Sequence, residues 1–189
     1  ADIPPPAGNP DMVYEFASTS KITFAGGGIS AVASSQDNLD DIKKSLSSQT
    51  IGHDKINQLR HVRFLKDKEG VLNHMKNLAL DLRPRFELVN KTLNEELGGL
   101  DVGTFSTPKG GYFIAYITKD GCATRVIELC KEAGVVMTGA GAPFPYKRDP
   151  HDNTIRISPS YPSLSDLGQA AKVFTVCVKK ATLEKLINT

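Results

Sequence analysis

The stretch Ala17-Ser18-Thr19-Ser20-Lys21-Ile22-Thr23-Phe24-Ala25-Gly26-Gly27-Gly28 constrains this chain more than any other. A short run from Val13 to Phe16 delivers a lysine flanked by hydroxyls into a glycine-rich turn. A lysine so placed can be desolvated, which lowers its pKa from ~10.4 and frees the amine for Schiff-base chemistry. Ser18, Thr19 and Ser20 offer hydroxyl donors, and the glycines let backbone approach an anion closely. Together these groups suit a ligand that carries both an aldehyde and a phosphate. The same residues also suit a surface lysine beside a flexible turn, and composition alone does not separate the two.

With 189 residues, 40% of them hydrophobic and 23% charged, the chain can bury a sizeable core. A net charge of +2 is too small to argue for nucleic acid or an anionic membrane as partner. No apolar run reaches membrane-span length, and no signal peptide is recognisable. Cys122, Cys130 and Cys177 form no C-x-x-C pair and leave an odd count. They read as reduced core residues of an intracellular, cytoplasmic protein. His53, His61, His74 and His151 lack metal-ligand spacing, so no metal site is expected.

In chain order, the proline-rich strip Ala1–Pro10 is expected to be irregular, like a cut linker. Met12–Ala17 and Ile29–Ser34 read as strands, the second of them buried. A helix capped near Asp37-Asn38 should run to about Leu46, and Lys55–Leu65 reads as part helix, part loop. The steps Leu72, Met75, Leu78, Leu82, Phe86, Val89, Leu93 and Leu97 make one helix face, which Pro84 should kink or divide and Gly98-Gly99 should end. Tyr112–Ile117, Val135–Thr138 and Thr154–Ile157 are expected strands. Asp120 should cap a helix from Gly121 to Ala133. Ser163 and Asp166 have capping-box spacing before a last helix whose face is Leu164, Leu167, Ala171, Phe174, Val178 and Ala181. The best boundary lies at Lys66-Asp67-Lys68-Glu69-Gly70, giving an α/β chain with a piece of a larger domain over 1–66 and a smaller α/β domain over 67–189.

Ser-x-Ser-Lys before a glycine-rich turn resembles the cofactor lysine of class I/II aminotransferases, pyridoxal-phosphate enzymes of fold type I. Three more stretches resemble that family in its order: Thr107-Pro108-Lys109-Gly110-Gly111-Tyr112-Phe113-Ile114, Ala133 to Phe144, and Asn153-Thr154-Ile155-Arg156-Ile157-Ser158. Ser18 to Phe24 and Asn57-Gln58-Leu59-Arg60-His61 are most similar to a divergent aspartate aminotransferase-like group. The resemblance covers nearly the whole chain and implies the C-terminal part of a fold type I transferase, the end of the large domain plus the small one.

That resemblance implies pyridoxal 5'-phosphate as cofactor, with Lys21 as Schiff-base lysine and Ser18, Ser20 and Arg60 as further cofactor-binding residues. Arg156 would hold the substrate α-carboxylate, with Asn153 beside it. Substrates would be an amino acid, aspartate-like, and a 2-oxo acid, handled by a homodimer in the intact protein. There is one departure. Many relatives carry a phosphate-pairing arginine about eight residues after the lysine, where this chain has Ile29. The family's phosphate-binding turn, ring-stacking aromatic and pyridine-nitrogen aspartate all lie upstream of the lysine, and only twenty residues precede Lys21 here. The chain therefore reads as the C-terminal portion of the enzyme, expected to be inactive by itself. Two other classes stay open: another fold type I enzyme, a lyase or synthase, and a non-catalytic α/β module using Gly26-Gly27-Gly28 to nest an anion.

Overall fold

The structure, a computed structural model, describes residues 8–188, so the expectation for the first seven residues falls outside it. The chain divides into two compact units, one up to Leu78 and one from Ala79 onward.

In the first unit, Pro10–Met12 forms a 3-10 turn whose start is capped by Asn9, its Oδ1 accepting from Asp11 N at 3.0 Å. Strands β1 (Glu15–Ser18) and β2 (Ser30–Ala33) pair antiparallel, with Phe16 opposite Val32 and Ser18 opposite Ser30. The expected burial of the second strand does not hold. A two-stranded ribbon has no second layer of its own, and only Val32 of β2 is even half-buried. Helix α1 (Gln36–Gln49) is capped by Ser35, one turn longer than the sequence pattern suggested. Helix α2 (Lys55–Leu65) is helical throughout, because Asp54 accepts from Asn57 N at 2.9 Å and starts it cleanly. It buries His61 and Leu65.

The stretch 66–70, where the sequence suggested a boundary, holds the turn from α2 into α3 (Lys68–Leu97), whereas the division into two compact units falls within α3, after Leu78. Lys66 has φ +65°, and Asp67 Oδ1 accepts from Gly70 N at 2.8 Å. A Cβ at Gly70 would lie 1.7 Å from the Leu65 carbonyl oxygen, so no side chain fits there. Pro84 does not divide α3. Proline removes one backbone donor, and the exposed flank where it sits is not the face that packs.

In the second unit the order β3-β4-β5 makes a fully antiparallel sheet: Gly103–Phe105, Ile114–Thr118 and Thr154–Ile157. Strand β3 was not legible in the sequence, being three residues bounded by loops. Register sets Tyr116 opposite Ile155 and Ala115 opposite Arg156. Period-two alternation therefore puts Ile114, Tyr116 and Ile155 in the core and Arg156 on the other face. Helices α4 (Ala123–Glu132) and α5 (Leu164–Ile187) complete the core with Val126, Phe174 and Val178, while the C-terminal half of α3 adds Val89, Leu93 and Leu97. Phe174 meets the Tyr116 ring edge-on at 5.2 Å. Ser163 caps α5 as its spacing predicted, but Leu164 is 49% exposed and lies off the packed face. All three cysteines are buried and unbridged. Burial, followed by the neighbouring Cys177, pushes the Cys130 thiol up to about 12.

Two expectations about this unit are corrected. Val135–Thr138 is loop rather than strand: no ladder among the described residues pairs with it, and Val136 is 84% exposed. Nor does Asp120 cap α4. The cap comes from Asp152, whose Oδ1 accepts from Thr124 N at 3.0 Å and from the Thr124 hydroxyl at 2.6 Å.

The turn that carries Asp152 also holds Asp149, whose carboxylate accepts from the backbone N–H groups of His151, Asn153 and Thr154. Partial burial alone would raise its pKa, but those donors outweigh it and hold the carboxyl below its usual range. A depressed folded pKa means stability that is present above the unfolded value and lost as pH falls through the folded one. Urea midpoints measured between about pH 6 and pH 3 should therefore fall more steeply for the parent chain than for Asp149→Asn. Asp152→Ala should cost about 1 kcal/mol at neutral pH through loss of the α4 cap.

Candidate active site

The chemistry-bearing residues form one cluster in each unit. In the first, Lys21 is exposed on the turn that opens the long loop joining β1 to β2. Ser18 and Ser20 precede it with hydroxyl oxygens 2.7 Å apart, and Ser20 N donates to Ser18 Oγ at 3.1 Å. Gly28 passes directly against Ser20: a Cβ there would lie 2.5 Å from Ser20 Oγ and 2.8 Å from Ser20 Cα. The glycine run thus returns the chain beside the hydroxyl pair.

Thr19 organises the backbone of this loop. Its N–H donates to the Ile29 carbonyl at 2.9 Å, its hydroxyl accepts from Ile29 N at 2.9 Å, and its carbonyl accepts from Ile22 N and Thr23 N. Helix α2 holds the loop from behind. Asn57 Nδ2 donates to the Gly27 carbonyl at 2.8 Å, and His61 Nε2 lies 3.0 Å from the hydroxyls of both Thr19 and Thr23. His74, at the start of α3, donates from Nε2 to the Ile22 carbonyl.

Arg60 belongs to the same cluster. Its guanidinium lies 5.4 Å from the centre of the Phe24 ring, and its Nη1 would be 3.6 Å from a Cβ at Gly27. No carboxylate among the described residues pairs with it. The structure therefore brings Lys21, Ser18, Ser20 and Arg60 onto one loop and its supporting helix. One amine, two adjacent hydroxyls and one unpaired cation form a donor set that fits an aldehyde bearing a phosphate.

In the second unit, β5 presents Arg156. Its guanidinium carbon sits 4.4 Å over the Phe113 ring, and its Nε is buried with no hydrogen-bond partner among the described residues. Stacking fixes the guanidinium plane, and a buried unsatisfied donor is costly unless a ligand completes it. Arg156 lies on the wall of a cleft of about 530 Å³ that Leu93, Met137, Thr138, Leu167 and Phe174 also line. The loop expected to be a strand at Val135–Thr138 is one side of that cleft. Asn153 is tied elsewhere. Its Nδ2 donates to Asp120 Oδ1 at 2.8 Å, and its Oδ1 accepts from the Thr154 hydroxyl at 3.0 Å. Asp120 is held below the usual carboxylate range by that amide and by His151.

Three residues that shape these clusters went unassigned in the sequence. Asn57 and His61 stand one helical turn apart on the same face of α2, a polar pair at i,i+4 that could have signalled a shared contact. Phe113 had no distinguishing mark within its Gly-Gly-Tyr-Phe run.

The sequence model of the family described as aspartate amino-transferase matches residues 3–189. The chain belongs to the aspartate amino-transferase family. It is 43% identical over 182 residues to a protein of Mycolicibacterium smegmatis and 40% identical over 182 residues to an aspartate aminotransferase of Corynebacterium glutamicum. Both alignments cover 96% of this chain, which spans 42% of the length of either relative. A solved structure from Corynebacterium diphtheriae, 42% identical, superposes with a TM-score of 0.87 over 90% of this chain and 42% of its own. These matches carry the family's fold type I transferase architecture to the present chain. Among the described residues, no helix is long and apolar enough to cross a membrane, and no cluster of His, Cys, Asp or Glu is placed to hold a metal ion.

The close approach at Gly28 gives a direct check of the loop geometry. Gly28→Ala should lower the urea-unfolding stability by about 1–3 kcal/mol, because the methyl meets backbone as well as the Ser20 hydroxyl.

Proposed function

We propose that this chain is the C-terminal part of a pyridoxal-phosphate-dependent aminotransferase that moves an amino group between an aspartate-like amino acid and a 2-oxo acid. The observation that carries the reading is the lysine loop, with its amine, paired hydroxyls and unpaired guanidinium. When bound, pyridoxal phosphate supplies an electron sink that weakens the bonds at an amino acid's α-carbon. Lys21 would hold it through its amine and, once displaced by substrate, would carry the proton taken from that α-carbon. Ser18 and Ser20 would donate to phosphate oxygens, and Arg60 would supply the positive charge that Ile29 cannot. Arg156 would grip the substrate carboxylate through a planar fork whose orientation Phe113 fixes. Asn153, tied to Asp120, would support the strand that presents Arg156 rather than touch substrate. The intact enzyme would act as a homodimer in the cytoplasm; the resemblance sets residues 51–61, which here run into helix α2, where the family reaches a neighbouring subunit's site.

The test uses the full-length enzyme that carries this chain. Incubation with pyridoxal phosphate, borohydride reduction and peptide mapping should find about one equivalent of label at Lys21, and Lys21→Ala should lose both the label and amino transfer from aspartate to 2-oxoglutarate. Label on another lysine would remove the assignment. Elimination or condensation products in place of transfer would favour a lyase or synthase. Arg156→Ala should weaken amino-acid and oxo-acid substrates together by at least about tenfold. Its affinity for the cofactor should stay near that of the parent.

A further inference from the structure

We propose that His61 is the positioning residue for Lys21, fixing both ends of the lysine turn through one buried nitrogen. The proposal rests on the reading of Lys21 given above. Thr19 and Thr23 stand two residues before and two residues after the lysine, and His61 Nε2 lies 3.0 Å from each hydroxyl. On the other side of the ring, Nδ1 donates to the Asn57 carbonyl at 2.9 Å. In the neutral ring that leaves Nε2 to accept from the hydroxyl of Thr19 or of Thr23, and the threonine that does not donate to it gives its single proton to a backbone carbonyl, Ile29 for Thr19 or Thr19 for Thr23.

The tie is protected as well as short. His61 is 2% exposed, so water does not compete for these hydrogen bonds, and Phe24 closes the ring edge-on at 5.5 Å. Two further contacts hold the same loop: Asn57 of α2 to the Gly27 carbonyl, and His74 of α3 to the Ile22 carbonyl next to the lysine. A lysine side chain has many rotamers, and what can be fixed in advance is the backbone from which it starts. The contacts that tie His61 to the turn are with the two threonine hydroxyls. His61 acts through those threonines, and a shift of about 1 Å at such a point can cost about a hundredfold in rate.

The experiment compares variants of the full-length enzyme by three readouts: the rate of borohydride-trappable attachment of pyridoxal phosphate at Lys21, steady-state kinetics, and melting temperature. His61→Phe keeps a ring against Phe24 and deletes both nitrogens. It should slow trapping at Lys21 and lower kcat, each by about tenfold or more, while KM for the amino donor stays within about twofold. His61→Gln returns a donor and an acceptor near the Nε2 position and should recover most of the loss, which a packing defect would not allow. Thr23→Val removes one tie without altering the ring, and should slow trapping by an intermediate factor. Trapping at the parent rate in His61→Phe overturns the proposal, as does failure of His61→Gln to recover any of the loss. Should His61→Phe not fold, the parent trapping rate in Thr23→Val overturns it instead. Label on a lysine other than Lys21 in the unmutated enzyme would remove the underlying assignment, a separate and distinguishable outcome.

Discussion

A long hairpin loop leaves a row of backbone N–H and C=O groups that no strand ladder satisfies, and every one of them that leaves water needs another partner. That constraint shapes the first unit. Thr19 answers it from within the loop, using its N–H, carbonyl and hydroxyl to close residues 19–23 and to reach Ile29. Asn57 of helix α2 answers it from outside at the Gly27 carbonyl and His74 of α3 at the Ile22 carbonyl, while His61 takes up the hydroxyls of Thr19 and Thr23. The result is a loop with the conformational definition of a secondary element although it has none of the regular patterns. Lys21 rides on this frame, exposed at a turn whose backbone is fixed on both sides.

The second unit meets a comparable demand by different means. Its Arg156 stands on a strand, where the ladder satisfies the backbone and only the side chain needs support. Phe113 supplies that support through its ring face, while the turn ahead of β5 is held by the carboxylates of Asp149 and Asp152. The buried Nε of Arg156 is left without a partner among the described residues. Asn57 Oδ1, Asn90 Oδ1 and the Tyr116 hydroxyl are left likewise, so what gives this arginine its place in the proposed chemistry is its stacking on Phe113 at the wall of the cleft. The neighbouring Asn153, three residues earlier, was expected beside substrate, yet its amide is absorbed by the turn. Sequence proximity to Arg156 did not separate a side chain that holds the strand from one that faces the cleft.

Much of the architecture was legible because it rests on local signals. The periodicity from Leu72 to Leu97, the Ser163 cap with Asp166 three residues on, and the alternation of Thr154–Ile157 all fix an element from residues that lie close together in the chain. The errors fall where the decision is non-local. Val135–Thr138 has strand composition but no ladder partner, so it became a cleft wall. Asp120 stands at the right distance to cap α4, yet Asp152, brought in from a distant turn, does so. β2 has the small apolar residues of a buried strand, but burial requires a covering layer that the sequence of one strand cannot specify.

The sequence by itself determined the lysine loop and the arginine strand, because each is a contiguous run, and the resemblance of those runs, in order, to aminotransferase motifs pointed to the family that the family model shows. The tertiary structure alone decided that His61, Asn57 and His74 hold that loop, and that Arg156 stacks on Phe113 with a buried donor left over. Those contacts join residues some 30 to 50 positions apart, and no local pattern specifies which distant side chain will satisfy a polar group once folding removes it from water.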